Sequence, residues 1–277
     1  MSAINTISTD KFLRLLGTPK CAAVIDVRTE QEFAADPRLV PSSLRRDAAQ
    51  VCEWGGDFAS ENVIVLCRDG AGLSPGVAAW LRHAGIAAEV LEGGVDAWKA
   101  SKLALVPEAA LPSRDAQGRT LWVTRARPKV DRIACPWLIR RFVDPWAVFL
   151  YVAPSEVPIV AKQFGAAPFD IEGEGVFWSH QDERCTFDVM VDELGLASFE
   201  ALQRLAAIVR GADTGHPETA PEAAGLLAAS LGLSRMYADD LEQLEAGMLL
   251  YDSLYRWCRD ATDETHNWTS HKPKGQR

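Results

Sequence analysis

The residues of this chain best suited to chemistry are its cysteines: Cys21, Cys52, Cys67, Cys135, Cys185 and Cys258. They are widely scattered and include no C-x-x-C pair. That spacing is unlike a disulfide framework and reads as reduced thiols of a cytoplasmic protein. Cys67 stands out because Arg68-Asp69-Gly70-Ala71-Gly72-Leu73-Ser74 follows it. A glycine-rich loop lets successive backbone N–H groups converge, and Ser74-Pro75 reads as an N-cap followed by proline at the first helical position. A thiol at such a mouth, facing a helix N-terminus, is set up as a nucleophile beside a bound anion. Cys67 is the candidate catalytic residue, and Arg68, Asp69, Gly70, Ala71, Gly72, Leu73 and Ser74 are the candidate anion cradle. Cys21, Cys52 and Cys258 lack such a loop or basic neighbours and read as small buried hydrophobes.

A second constellation lies between Arg119 and Arg141. Seven basic residues (Arg119, Arg125, Arg127, Lys129, Arg132, Arg140, Arg141) face one acid, Asp131, for a local charge of +6 in a chain of net charge -9. Cys135-Pro136 reads as an N-cap and first helical residue, with Arg132 one turn earlier. Arg125, Lys129, Arg132, Cys135 and Arg140 are therefore candidates for an oxyanion site, the alternative being a solvated charged face. Further on, His180 and Cys185 sit in one turn with carboxylates between two apolar runs. His180, Cys185 and a remote Cys135 could ligate zinc or iron, although the spacing fits no standard zinc motif. A hydrogen-bonded loop histidine, with Asp188 in a helix first turn, is the plainer reading.

The elements that must position these groups follow from periodicity. Ala22 to Ile25, Val63 to Leu66 and Ala87 to Leu91 read as buried strands alternating with helical patterns, which predicts a parallel α/β unit. Ser101 to Gly118, with Pro107, Pro112 and no apolar stripe, reads as a linker. Beyond it, Leu121 to Thr124 and Val148 to Val152 read as strands and Pro136 to Val143 as a short helix. Ser198 reads as the cap of a helix bearing Phe199, Leu202, Leu205 and Val209, and the stripe Leu241, Leu244, Met248, Tyr251, Leu254, Cys258 marks another. The polar tail after Thr262 is expected to fray.

With 277 residues, 48 % hydrophobic and 24 % charged, the chain has the balance of a globular protein of one large or two medium domains. No apolar run nears the ~18 residues of a membrane span, and the acidic balance argues against broad nucleic-acid or anionic-membrane binding.

Three motifs in order, Ile25-Asp26-Val27-Arg28 with Glu32 and Phe33, Val65-Leu66-Cys67-Arg68-Asp69-Gly70, and Leu91-Glu92-Gly93-Gly94 with Trp98, resemble a rhodanese domain over about residues 5 to 105. The resemblance implies a sulfurtransferase fold in which Cys67 carries a persulfide from thiosulfate or another donor to a thiol acceptor. The loop departs from the family, with Gly72 at its sixth place where an arginine is common and Ser74 one residue late. A seven-residue loop resembles phosphatase and arsenate-reductase relatives, but Leu73 replaces their closing arginine.

The string Trp122 to Arg125, Pro128 to Phe142, Pro168-Phe-Asp170, His180 with Cys185 to Asp188, and Val209-Arg210-Gly-Ala-Asp213 resembles the carboxyl-terminal domain of chromate-resistance protein B. That resemblance implies a part in resistance to chromate, a tetrahedral dianion. The sequence thus predicts a rhodanese-like α/β domain (1–105, a parallel sheet flanked by helices), a linker (106–118) and a mixed α+β, mostly helical domain (119–270). The expected activity is sulfur transfer at Cys67 in chromate or oxyanion stress. The alternative is a non-catalytic chromate or metal sensor.

Overall fold

The computed structural model describes residues 5–173 and 175–264. The tail from residue 265, and with it the end of the second expected domain, lies outside the described residues.

The first unit runs β1 (Thr6–Ile7), α1 (Thr9–Leu15), β2 (Ala23–Asp26), α2 (Glu30–Ala35), β3 (Arg38–Leu39), β4 (Ser43–Arg45), α3 (Val51–Trp54), β5 (Val63–Leu66), α4 (Leu73–His83), β6 (Ala88–Leu91) and α5 (Gly94–Ala100). Strands β1, β6, β5, β2 and β4, in that order, form one parallel sheet. The central strand β5 is apolar throughout because both faces are covered. On β5, Val63 and Val65 join the cluster packed with Val77, Ala78 and Leu81 of α4. Ile64 and Leu66 point the other way.

That other face belongs to a core shared with the second half of the chain. Phe12, Val24, Ile64 and Trp98 fall in the same buried cluster as Trp122, Trp137, Phe142 and Phe187. Phe142 is a point of junction: its carbonyl accepts from the Ser42 amide at 2.7 Å, and a side chain at Gly17 would collide with its ring. The stretch read as a linker is ordered. Val106–Pro107 forms β7, paired antiparallel with β3, and Arg114 bridges to Thr120. Pairing over only two residues leaves no periodicity in the sequence to mark the strand.

The second unit continues with β8 (Leu121–Arg125), α6 (Val130–Phe142), β9 (Val148–Val152), α7 (Val157–Phe164), β10 (Ala167–Pro168), α8 (Thr186–Glu193), α9 (Glu200–Asp213), α10 (Ala223–Met236) and α11 (Asp240–Asp260). Strands β10, β8 and β9 make a small parallel sheet, and the helices pack behind it. No described helix is long and apolar enough to cross a membrane.

Two helix starts of the second unit differ from expectation. Helix α6 begins at Val130, so Cys135 and Pro136 lie inside it rather than at its N-terminus. Proline cannot donate to the carbonyl four residues back; here the Tyr151 hydroxyl on β9 donates to that carbonyl, Arg132 O, at 3.0 Å. Helix α9 is preceded by Phe199, with no side-chain cap from Ser198.

Candidate functional site

Strand β5 ends at Leu66 and delivers Cys67 to the carboxyl edge of the sheet, where ligands of open α/β sheets bind. The next turn is held from behind by α5. The amides of Val95 and Asp96 donate to the carbonyls of Cys67 and Arg68 at 3.0 and 2.8 Å. Close approach requires glycine twice. Gly70 (φ 74°) has no room for a Cβ, which would meet Gly93 N at 2.8 Å and Leu91 O at 2.9 Å. A Cβ on Gly94 would collide with the carbonyl of Cys67 and meet Gly70 N at 2.6 Å.

The Cys67 sulfur lies 3.1 Å from both Ser74 Oγ and the Ala71 carbonyl oxygen, and 3.7 Å from Asp69 Oδ1. Ser74 therefore faces the thiol instead of capping α4. The helix starts two residues earlier than Pro75, at Leu73, and its cap is Gly72 with φ 67°. Asp69 Oδ1 accepts from the Ala71 amide at 3.0 Å, so part of the expected cradle is filled by a carboxylate of the loop itself. This N–H bond, more than the Arg68 guanidinium, holds the Asp69 carboxyl below the usual range. Arg68 points away from the sulfur. It is exposed and lies among Glu32 (3.6 Å), Asp69 (3.2 Å) and Asp96 (4.0 Å). Leu73 is more than a third exposed. Of the thiols read as structural, Cys258 is buried, Cys21 is half-buried and Cys52 is exposed on α3. Cys52 corrects that expectation, because the short α3 turns it to solvent.

In the second unit the basic residues do not converge as one site. Arg119 pairs with Asp115 (2.8 Å), Arg140 with Glu245 (2.5 Å) and Arg141 with Asp252 (2.8 Å). Arg127 donates to carbonyls at the end of α10. These contacts come from distant elements, which a local count of charge does not register. Arg125, Lys129 and Arg132 do line one cleft of about 770 Å³, together with Asp170, His180 and Asp213. Cys135 is wholly buried in the core, and burial pushes its thiol up. Cys185, likewise buried, caps α8, its amide donating to Asp188 at 3.1 Å.

Carboxylate oxygens, not sulfur, surround the His180 imidazole. Its Nε2 lies 3.0 Å from Asp213 Oδ2, 3.5 Å from Asp170 Oδ1 and 3.6 Å from Asp131 Oδ2. Asp131 comes from the first turn of α6 and Asp213 from the last of α9, while Asp170 follows β10 with a left-handed φ of 48°. Asp131 is buried against the start of α8, where the Phe187 amide donates to its Oδ2 at 3.3 Å. Thr186 Oγ1 donates to Asp170 Oδ1 at 2.9 Å, and Arg132 Nε stands 3.2 Å from Asp170 Oδ2. Desolvation raises the Asp131 carboxyl to about 7, against the favourable imidazole. The carboxylates of Asp131, Asp170 and Asp213 together push His180 up to about 12. Asp131, Asp170 and Asp213 were not singled out from sequence. The detectable signal was an acid beside apolar residues at each position, as in Val130-Asp131 and Phe169-Asp170.

Residues 8–101 match the family model described as a rhodanese-like domain, and residues 122–258 match that of the ChrB C-terminal domain. Protein ChrB of Cupriavidus metallidurans CH34 is 36 % identical over 149 residues, a match that covers 52 % of this chain and 43 % of that protein. Among solved structures, a rhodanese-related protein from Thermoplasma volcanium is 21 % identical (38 % of this chain, all of that one, TM-score 0.34). A rhodanese-like domain protein from Staphylococcus aureus is 28 % identical (34 % of this chain, 91 % of that one, TM-score 0.31). The chain carries a rhodanese-like domain followed by a ChrB C-terminal domain.

Proposed function

We propose that this chain acts in resistance to chromate or a related oxyanion, with Cys67 as a sulfur-carrying nucleophile. The observation that carries the reading is the placement of Cys67 under a tight loop at the carboxyl end of β5, in one chain with a ChrB C-terminal domain. In the first step the Cys67 sulfur, having lost its proton, attacks the outer sulfur of thiosulfate. A sulfur–sulfur bond forms to Cys67, the sulfur–sulfur bond of thiosulfate breaks, and sulfite leaves with the electron pair. An acceptor thiolate then takes the outer sulfur of the persulfide and regenerates Cys67. Asp69 Oδ1 and Ser74 Oγ are the polar side-chain atoms beside the sulfur that can take part in the first proton movement.

Six unpaired cysteines support a reducing compartment, which fits a cytoplasmic protein. The cleft edged by Arg125, Lys129 and Arg132 is the second-unit surface that could draw in an anion. A second reading, a non-catalytic sensor of chromate or metal, has its own support: Arg68 is occupied by three carboxylates, and the Ala71 carbonyl lies against the Cys67 sulfur. Growth under chromate separates the two. Cells whose resistance depends on this chain should lose it with Cys67→Ser if sulfur transfer is the function and keep it if the chain only senses.

A further inference from the structure

Asp131, Asp170, His180 and Asp213 each offer one ligand atom, and these atoms lie within 4.8 Å of one another. We infer that they bind a divalent, oxygen-preferring cation of the Mn²⁺ and Fe²⁺ class at the floor of the second-unit cleft.

The spacing around His180 suits a coordination shell. Ligand atoms about 2.1 Å from one ion stand roughly 3.0 Å apart when adjacent and roughly 4.2 Å when opposite in an octahedron. The distances from His180 Nε2 to the three carboxylates, 3.0, 3.5 and 3.6 Å, fall within that range. An acidic cluster alone would not be enough. Asp131, however, is 1 % exposed, its carboxylate faces His180, and its Oδ1 has no hydrogen-bond partner among the described residues. A buried carboxylate that turns Oδ2 to His180 and leaves Oδ1 without a donor is costly, and a cation beside it supplies the countercharge.

Charge and backbone agree. Asp131, Asp170 and Asp213 leave a net negative site even with Arg125 and Arg132 beside Asp170, which favours a cation over an anion there. The ligands are also held from outside. Thr186 Oγ1 donates to Asp170, the Phe187 amide to Asp131, and the Asp131 amide to Asp213 Oδ1 at 3.3 Å, the kind of surrounding support that orients metal ligands. Three carboxylate oxygens and one imidazole, with no thiolate among the four, make a hard donor set. Asp170, His180 and Asp213 also line the open cleft, so positions on the ion remain for water or an incoming oxyanion.

This site is separate from Cys67, so its test is independent of sulfur transfer. Metal-free full-length protein is titrated with MnCl₂ alone and followed by calorimetry, by the loss of the free Mn²⁺ paramagnetic signal, and by the melting temperature. One Mn²⁺ per chain is expected, with a metal-dependent rise in Tm. His180→Gln and Asp213→Asn, both at partly exposed side chains, should weaken binding at least tenfold and abolish the Tm rise, whereas Cys67→Ser should leave both intact. If His180 only ties the three acids together, the same variants lower the metal-free Tm while no stoichiometric Mn²⁺ binds to the parent. That result, or Mn²⁺ binding of unchanged strength in both variants, overturns the inference.

Discussion

The Tyr151 hydroxyl on β9 donates a 3.0 Å hydrogen bond to the carbonyl oxygen of Arg132 in α6, the carbonyl that Pro136 cannot reach with an N–H. One bond thus lets a proline sit within α6, so that the helix runs from Asp131 to the core aromatics Trp137 and Phe142. Tyr151→Phe should cost about 1 kcal/mol, the net worth of one such bond. In a Pro136→Ala background, which restores an amide donor, the same change should cost clearly less. Denaturant unfolding of the four combinations measures the coupling; equal costs in both backgrounds would remove the link.

The fit of Gly94 against the Cys67 loop makes a sharper prediction. Gly94→Ala puts a Cβ into the carbonyls of Cys67 and Arg68 at a φ of 56°. The loop must move, so alkylation or sulfur loading of Cys67 should change severalfold while far-ultraviolet circular dichroism stays close to that of the parent. Gly76→Ala, where a Cβ meets nothing within 4 Å, is the matched control.

The shared core predicts cooperativity across the two family regions. Phe142 packs against Trp137, Phe199 and Tyr255, sits against Gly17, and accepts from Ser42. Phe142→Ala should cost about 3 to 5 kcal/mol and lower the melting of both halves in one transition. Calorimetry resolving two independent peaks, with the first unaffected, would contradict this.

Burial pushes the Cys21 thiol up to about 12 and the Cys258 thiol to about 11. The folded state holds these protons more tightly than the unfolded state, whose thiols titrate near 9. Their contribution is complete below about pH 9 and is lost as pH rises toward 11 to 12. Unfolding free energy should therefore fall across that window, and the fall should be shallower in Cys21→Ala. At pH 8, alkylation should label exposed Cys52 well before Cys21 or Cys258.

The first unit was readable because its chemistry is local. The strand, Cys67, the glycines and the next helix follow one another, and each residue constrains its neighbour's backbone. Even there the helix start was misjudged, because Ser74 turns its hydroxyl to the thiol, a contact that competes with capping. The second unit was less readable. Cys135-Pro136 looks like a helix start unless Tyr151, on another strand, is known to satisfy Arg132. His180 was found, but its neighbours Asp131, Asp170 and Asp213 come from three elements up to 82 residues apart in the chain. Cys185 and Cys135, close in pattern, are instead taken into the core by apolar neighbours.

Sulfur transfer at Cys67 is read out by single-turnover sulfite release. The reduced chain is mixed with thiosulfate, sulfite is counted per chain, and the Cys67 peptide is weighed before and after an acceptor thiol is added. One sulfite per chain is expected, with one added sulfur atom on Cys67 that the acceptor removes, and neither in Cys67→Ser. Sulfite released equally by Cys67→Ser, or no sulfur gained on Cys67 in the parent chain, would contradict it.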